Sequence, residues 1–230
     1  MSALRNTIKW FTHPFLRKGA AFYYRKPRPY SYKGIKVMVH PDVFPPHLTI
    51  STRILLDYIS SFELNDKSFL ELGCGCGVIS LYAKQKDARV TASDINPKAL
   101  DYLQVASKAN ELPVNCVHSD LFKKLEGQTF DFIIINPPYY PKNPETIKQQ
   151  AWFCGENFEY FHKLFSQLPA FNTSQNRIWM ILSEDCAIEK IQHIANEHNL
   201  SMKPIYEKKA FGEWNWIFEI ISKEAIITNE

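Results

Sequence analysis

Strand-like and helix-like segments alternate along most of this chain, and that alternation restricts the possible folds more than any other feature. A helical pattern at 51–61 is followed by seven short apolar strand patterns, at 67–72, 89–94, 114–119, 130–136, 177–182, 204–208 and 214–221. Helical periodicity separates most of them. Because neighbouring parallel strands need a long crossover, usually a helix, we predict a doubly wound α/β fold. Its seven-stranded sheet is mostly parallel, with an antiparallel final strand.

Three features that can bind a ligand lie at the predicted strand ends: a glycine-rich turn, Asp94 and Asn136. Open α/β sheets bind ligands at the carboxyl ends of their strands, near the point where the strand order reverses. We therefore expect these three features to meet at one edge of the sheet.

The glycine turn reads LELGCGCGV at residues 70–78, with its glycines at Gly73, Gly75 and Gly77. This G-x-G-x-G spacing differs from the G-x-G-x-x-G of dinucleotide sites, because Val78 occupies the sixth position. Glu71 lies two residues before the turn. A carboxylate there disfavours a pyrophosphate and suits a cationic ligand, such as an ammonium or a sulfonium. The thiols of Cys74 and Cys76 are interpreted as small turn residues rather than zinc ligands, and we expect no metal.

Acidic residues follow the next two strand patterns. Asp94 ends the second, where a carboxylate can accept hydrogen bonds from ribose hydroxyls. Asp120 ends the third, where it can meet an exocyclic amine. The alternative is a tight turn followed by two helix-capping acids.

The apolar stretch FIIINPPYYP, residues 132–141, ends a strand with two consecutive prolines. Proline cannot donate to a sheet ladder, so the strand must stop there. The side chain of Asn136 and the main-chain carbonyl of Pro137 are hydrogen-bond acceptors that can hold and orient a planar amine. Pro138 stiffens the turn, and Tyr139 offers a flat face for stacking. A strand end closed by Pro-Pro with a packed aromatic is the structural alternative.

Together these residues resemble the class I S-adenosylmethionine-dependent methyltransferases, over residues 67–222. The resemblance implies a Rossmann-like fold with S-adenosyl-L-methionine as cofactor. It implies that the three turn glycines border the methionine end, that Asp94 binds the ribose and that Ile95 flanks the adenine. Asp120 and Leu121 would contact the adenine edge. The remaining predicted cofactor residues are Glu71, Asn136 and Thr52.

Within that class, Asn-Pro-Pro-Tyr is similar to the motif of enzymes that methylate exocyclic or amide nitrogens. The ordered segments SDLF (119–122), FDFIIINPPYYP (130–141) and FCGENFEYF (153–161) resemble HemK-type glutamine methyltransferases most. PPHLTISTRILL (45–56) is similar to their proline-rich segment, with Thr52 at the threonine position. In HemK-type proteins a glycine-rich stretch follows the motif. Here the corresponding segment reads Cys-Gly-Glu-Asn-Phe and keeps only one glycine, so the chain departs from the family at this point. HemK-type enzymes also have a longer, helical N-terminal domain that holds the protein substrate, whereas the corresponding region here is short and basic. This difference favours an adenine or guanine of ribosomal or transfer RNA as an alternative substrate.

Charge is distributed unevenly along the chain. Residues 1–41 contain nine of the 27 Lys and Arg residues and no Asp or Glu, which leaves a net charge of −6 in residues 42–230. We expect an arm, residues 1–50 with one short strand at 34–39, and a catalytic domain, residues 51–230. The positive charge of the arm predicts contact with an anionic surface such as RNA or the ribosome. The alternative is that the arm is only a solubilising tail.

No apolar run approaches the roughly 20 residues of a membrane span, and five scattered cysteines do not form a disulfide framework. The apolar residues near the N-terminus are interrupted by basic ones, unlike a signal peptide. A cytoplasmic protein without a membrane partner is therefore expected. Its macromolecular substrate is either RNA or a translation protein. A cofactor-binding ribosome-assembly module without catalysis is a third hypothesis.

Overall fold

The computed structural model describes residues 25–47 and 49–223, which fold around a seven-stranded sheet flanked by helices. Its strands are β3 (Ser68–Leu72), β4 (Arg89–Asp94), β5 (Asn115–His118), β6 (Phe132–Ile135), β7 (Arg177–Ser183), β8 (Leu200–Ala210) and β9 (Glu213–Ser222). Two further strands, β1 (Arg28–Tyr32) and β2 (Ile35–Val39), form a separate hairpin. The helices are α1 (Ser51–Ile59), α2 (Val78–Gln85), α3 (Pro97–Ala109), α4 (Ile147–Gln150), α5 (Glu159–Gln167) and α6 (Ile188–Glu197), with a 3₁₀ turn at Leu168–Phe171.

The strand order of the large sheet is β5-β4-β3-β6-β7-β9-β8. Strands β3 to β7 pair in parallel, and β9 pairs antiparallel with both β7 and β8. The predicted fold, including the antiparallel final strand, is confirmed. The chain leaves β3 in one direction through β4 and β5 and then returns to the other side of β3 as β6. The strand order therefore reverses between β3 and β6, where the register pairs Leu72 with Ile135. That register places the glycine turn directly beside Asn136.

Two buried clusters cover the two faces of the sheet. Because β6 is buried on both faces, its four residues contribute alternately to both clusters, Phe132 and Ile134 to one, Ile133 and Ile135 to the other. Continuous apolar runs of this kind are typical of central parallel strands.

The β1–β2 hairpin packs on the face that carries α1, α2 and α3. Its inward side chains, Tyr32, Ile35, Val37 and Val39, belong to the same buried cluster as those helices. The Tyr32 hydroxyl donates to Asp57 of α1 at 3.1 Å, and Asn110 at the end of α3 hydrogen-bonds both main-chain groups of Lys36. The second half of the basic arm is thus attached to the body. Residues 1–24, the rest of that arm, lie outside the described residues.

Three local features differ from the sequence prediction or were absent from it. The sequence pattern predicts a helix at 184–199 with Ser183 as its cap, whereas Ser183 ends β7 and α6 begins at Ile188 after Ala187. Strand β1 was not predicted, since Pro29 lies within it, Pro27 directly precedes it, and its sequence RPYSY lacks Val, Ile and Leu. Helix α4 has only four residues, too few for a periodic signal. None of the helices within 25–47 and 49–223 has the length and apolar character needed to cross a bilayer.

Candidate active site

The glycine turn lies against the carboxyl end of β4. The amides of Gly73 and Cys74 both donate to the Ser93 carbonyl at 2.9 Å. Gly73 and Gly75 adopt positive φ values of 73° and 52°, which side chains with a Cβ tolerate poorly. The turn therefore presents bare backbone toward the cavity beside it.

Asp94 fixes this turn through its carboxylate. One oxygen accepts from the Gly75 amide and the other from the Asn96 amide, each at 2.8 Å. Burial raises the pKa of Asp94, and hydrogen bonds from the Asn96 and Gly75 amides oppose that rise. Asn96 in turn caps α3, as its side chain accepts from the Lys98 amide at 3.1 Å. A single carboxylate thus positions both the turn and the start of the next helix.

Glu71 is buried behind the turn. Its carboxyl accepts from the Ser80 amide at 2.8 Å and also from the Ser80 hydroxyl. Burial raises its pKa to about 8, against which the Ser80 hydrogen bonds act. At pH 7 the carboxyl is mostly protonated in the unliganded protein. Glu71 therefore does not carry the fixed negative charge on which the sequence interpretation relied, although a nearby cation would favour its ionisation.

The raised pKa of Glu71 gives the protein a characteristic pH dependence. Between the ordinary value of 4.5 and about 8, the folded protein keeps a proton that the unfolded chain has lost, so stability falls as pH rises through this window. In Glu71→Gln this contribution is absent. The natural protein should therefore lose melting temperature relative to the variant between about pH 5 and about pH 8. Above about pH 8 the difference in melting temperature, variant minus natural protein, should level off.

Thermal melts across this pH range measure that difference. Glu126→Gln is the control for the exchange of Glu for Gln itself, because the Glu126 side chain is exposed. A difference for Glu71→Gln that does not change across this pH range would contradict the assignment.

A cavity of about 470 Å³ opens in front of the turn. It is lined by most of the predicted cofactor residues: Thr52, Glu71, Gly73, Gly75, Asp94, Ile95, Asp120, Leu121 and Asn136. Gly77 does not line it. A Cβ on Gly77 would lie 2.3 Å from Cδ1 of Leu103, so this glycine serves the close packing of α2 against α3. Cys74 and Cys76 are buried, free thiols in the core.

The far end of this cavity contains a charge pair that the sequence reasoning missed. Lys163 of α5 forms an ion pair with the carboxylate of Asp120, and Tyr160 of the same helix lines the cavity. Leu121 adopts a positive φ of 52° next to them. Residues from α5 were not predictable here, because nothing in the helical pattern at 157–168 distinguishes its cavity-facing side.

Asn136 stands between this cavity and a second one. The second cavity has a volume of about 430 Å³ and is lined in part by Ser51, Tyr139 and Tyr140. The Asn136 amide nitrogen donates to the Ser51 hydroxyl at 3.3 Å, which orients the side chain. Of the other motif residues, Pro138 lines the first cavity and Tyr139 the second, whereas the buried Pro137 lines neither. Ser51 was not predicted, because its partner lies 85 residues away.

Two loops lie together over the first cavity. The Phe44 and Trp152 rings are 4.8 Å apart, and the Asp42 carboxylate lies 3.6 Å from the Lys148 ammonium. The segment after the motif returns to it, since the Tyr140 amide donates to the Trp152 carbonyl at 3.1 Å. Both loops contribute to the cavity wall, which includes Phe44 from one and Ile147 and Phe153 from the other.

Within residues 25–47 and 49–223, no group of three or more His, Cys, Asp or Glu side chains is placed to hold a metal ion.

The sequence of residues 34–154, more than half of the chain, matches the family model described as "Methyltransferase small domain". The chain belongs to the methyltransferase small domain family. The match begins at the turn of the β1–β2 hairpin and includes both loops, the glycine turn and the Asn-Pro-Pro-Tyr motif.

Two relatives illustrate the range of this family. The chain is 34% identical over 114 residues to a Methanocaldococcus jannaschii protein named as a protein N5-glutamine methyltransferase. The aligned region is 49% of this chain and 55% of the relative. It is also 34% identical over 146 residues to ribosomal RNA small subunit methyltransferase C of Actinobacillus succinogenes, covering 59% of this chain and 42% of that one. The chain thus spans about half the length of these relatives.

A solved structure shares the fold of this methyltransferase small domain protein. It is the Thermus thermophilus 16S rRNA N2 G1207 methyltransferase in complex with AdoMet and guanosine. The TM-score is 0.57 at 16% identity, over 84% of this chain and 50% of that chain. The similarity confirms the Rossmann-like methyltransferase fold.

Proposed function

We propose that this protein is an S-adenosylmethionine-dependent N-methyltransferase that acts on a planar exocyclic or amide nitrogen. The observation that carries the proposal is the position of Asn136, which borders both cavities. A side chain placed there can touch a molecule in the first cavity and a second molecule in the other. Family membership and the names of both relatives support the same reaction class.

The residues around the first cavity fit the proposed cofactor. Its volume lies in the range of small-molecule sites, and its wall combines bare glycine backbone with the carboxylates of Asp94 and Asp120. Asp94 would hold the ribose and Asp120 the adenine edge, while Gly73 and Gly75 would border the methionine end. When bound, the cofactor supplies an electrophilic methyl group on a good leaving group.

The motif residues would orient the acceptor nitrogen. The Asn136 side chain would accept a hydrogen bond from a target N–H group, and Tyr139 would stack on the target plane. The second acceptor expected from the sequence, the Pro137 carbonyl, belongs to a buried residue that lines neither cavity, so the proposal relies on Asn136. Burial raises the pKa of Tyr139 far above its ordinary value, so its phenol stays protonated and does not act as a base. No strong base is needed before transfer, since the methylated nitrogen loses its proton readily afterwards.

Calorimetric titration with S-adenosylmethionine tests the cofactor site. Asp94→Ala removes the acceptor for the Gly75 and Asn96 amides as well as the proposed ribose contact. We expect affinity to fall roughly 10- to 100-fold, the effect of losing charge-assisted hydrogen bonds. Asp101→Ala is the matched control, because Asp101 is exposed on α3 and does not line the cavity. Absence of binding by the natural protein at millimolar ligand would refute the proposal.

Two substrate classes are consistent with a planar nitrogen: a purine of RNA, or a glutamine amide of a translation protein. Tritiated methyl transfer to lysate fractions, with and without RNase, distinguishes them. An RNA substrate predicts label that RNase removes. It also predicts salt-sensitive RNA binding that is lost when the basic residues 1–41 are deleted. A cofactor-binding assembly module without catalysis is the remaining candidate, and it requires that Asn136→Ala leave cellular function intact. A cytoplasmic location and the division of the chain into an arm (1–50) and a catalytic domain (51–230) belong to the same proposal.

A further inference from the structure

The turn between β8 and β9 lies at the same edge of the sheet as Asn136. Strand β9 runs antiparallel to β7 and β8, so β8 ends at the carboxyl edge of the parallel strands. Phe211 and Gly212 form the two-residue turn, closed by pairing of Ala210 with Glu213. Phe211 lines the second cavity together with Asn136.

Phe211 is an unfavourable residue for this turn in two respects. Its φ is 51°, a left-handed conformation for which such turns favour Asn, Asp or Gly. Its side chain is 98% exposed, so burial of the ring contributes almost no hydrophobic stabilisation to the fold. Fold stability therefore gives no reason for a phenylalanine here. A bulky residue held in a strained conformation beside a cavity indicates a role in binding.

We propose that Phe211 is a stacking platform for an unpaired base of a single-stranded RNA substrate, whose target base enters the second cavity. The proposal rests on the proposed N-methyltransferase function and names its substrate class. Exposed aromatic rings bind successive bases of single strands by stacking, with little sequence preference.

Groups around the second cavity fit a nucleic acid. The cavity wall includes the carboxylates of Asp185 and Glu213, which are acceptors suited to the N–H groups of a base edge. His47, on another part of the wall, interacts through Nε2 with the Pro29 carbonyl at 2.8 Å. This contact attaches β1 to the cavity rim.

The segment attached by that contact is basic. Arg25 and Lys26 are exposed just before Pro29, and residues 25–41 contain five basic and no acidic residues. Beyond the second cavity, on the strands that Phe211 connects, the Lys209 ammonium lies 5.4 Å from the centroid of the Trp214 ring, which stacks on Trp216. These three side chains lie on the sheet face opposite Glu213 and Asn215 and do not line the cavity. Cations beside aromatic rings suit a phosphate backbone with unstacked bases. A single strand supplies both partners in every nucleotide, a planar base and a charged phosphate, which favours RNA over a peptide.

Phe211→Asn separates binding from stability, because the two should move in opposite directions. Asparagine relieves the left-handed conformation, so the melting temperature should rise by roughly 1–3 °C. Loss of the ring should weaken binding of a short fluorescent single-stranded RNA of mixed sequence by about 10- to 100-fold. Phe211→Trp should restore RNA binding. Affinity for S-adenosylmethionine should stay unchanged in every variant.

Glu111→Asn is the matched control, because Glu111 also has a left-handed φ of 56° but precedes β5 at the opposite edge of the sheet. It should gain stability without any change in RNA binding. Equal RNA affinity of Phe211→Asn and the natural protein would overturn the proposal. So would a loss confined to a glutamine-containing peptide of similar length, which would assign the ring to a protein substrate. These measurements need no cofactor, so failure of the methyltransferase proposal would show separately, in calorimetry with S-adenosylmethionine.

Discussion

Asn136→Ala is expected to reduce kcat for methyl transfer by about 10²- to 10³-fold, the range seen when one preorganised polar group is removed from a reaction site. The side chain borders both cavities, and its amide nitrogen donates to Ser51 at 3.3 Å, so its carbonyl oxygen is left to face an acceptor nitrogen. Affinity for S-adenosylmethionine should change by only a few fold, because the glycine turn and Asp94 remain. Single-turnover rates with a labelled methyl donor measure the effect.

Two further variants distinguish the need for an acceptor oxygen at position 136 from the need for Ser51 to orient the Asn136 side chain. Asn136→Asp keeps an acceptor oxygen and should retain more activity than the alanine variant. Ser51→Ala removes the group that orients Asn136 and should cost about 10-fold, in line with loss of one hydrogen bond. A methyl-transfer rate for Asn136→Ala within a few fold of the natural protein would exclude Asn136 from the reaction and favour a binding module.

Gly77→Ala is expected to destabilise the fold by about 2–5 kcal/mol. The residue has a φ of 70°, which costs any residue with a Cβ, and the added atom would lie 2.3 Å from Cδ1 of Leu103. Leu103 is fully buried in α3, so its side chain can move only if neighbouring core residues shift with it. The melting temperature should fall by roughly 5–15 °C in thermal unfolding.

The chain offers a matched control for this prediction. Gly127 has a φ of 77° with no atom within 4 Å of an added Cβ, so Gly127→Ala incurs the conformational cost alone. Combining Gly77→Ala with Leu103→Ala should be less destabilising than the sum of the two single changes, because the clash is removed. Equal melting temperatures of Gly77→Ala and Gly127→Ala would show that the contact with α3 is unimportant.

The meeting of the glycine turn, Asp94 and Asn136 was predictable because each follows an apolar strand pattern. Parallel strands bring such ends to one edge of a sheet, whatever the lengths of the connections. Gly77, by contrast, was expected at the cofactor site but does not line the first cavity. A glycine two residues after a ligand-facing glycine has the same sequence signal whether it faces the ligand or a neighbouring helix, and here Gly77 faces Leu103.

The charge of Glu71 could not be predicted, because ionisation depends on burial rather than on residue type. Its position before the turn suggested a fixed carboxylate, whereas desolvation raises its pKa to about 8. Ser183 shows the same limit for a local signal. A serine before a helical pattern resembles a cap, but sheet pairing with Asn215 extends β7 through it.

The sequence by itself determined the sheet, its parallel strands and the group of residues at their carboxyl ends, because hydrophobic periodicity and proline chemistry act locally. Only the tertiary structure decided which residues meet across long separations. These include Ser51 with Asn136, Lys163 with Asp120, and Phe211 with the second cavity. Such contacts depend on how distant segments pack in three dimensions, and no local pattern of residues encodes that distance.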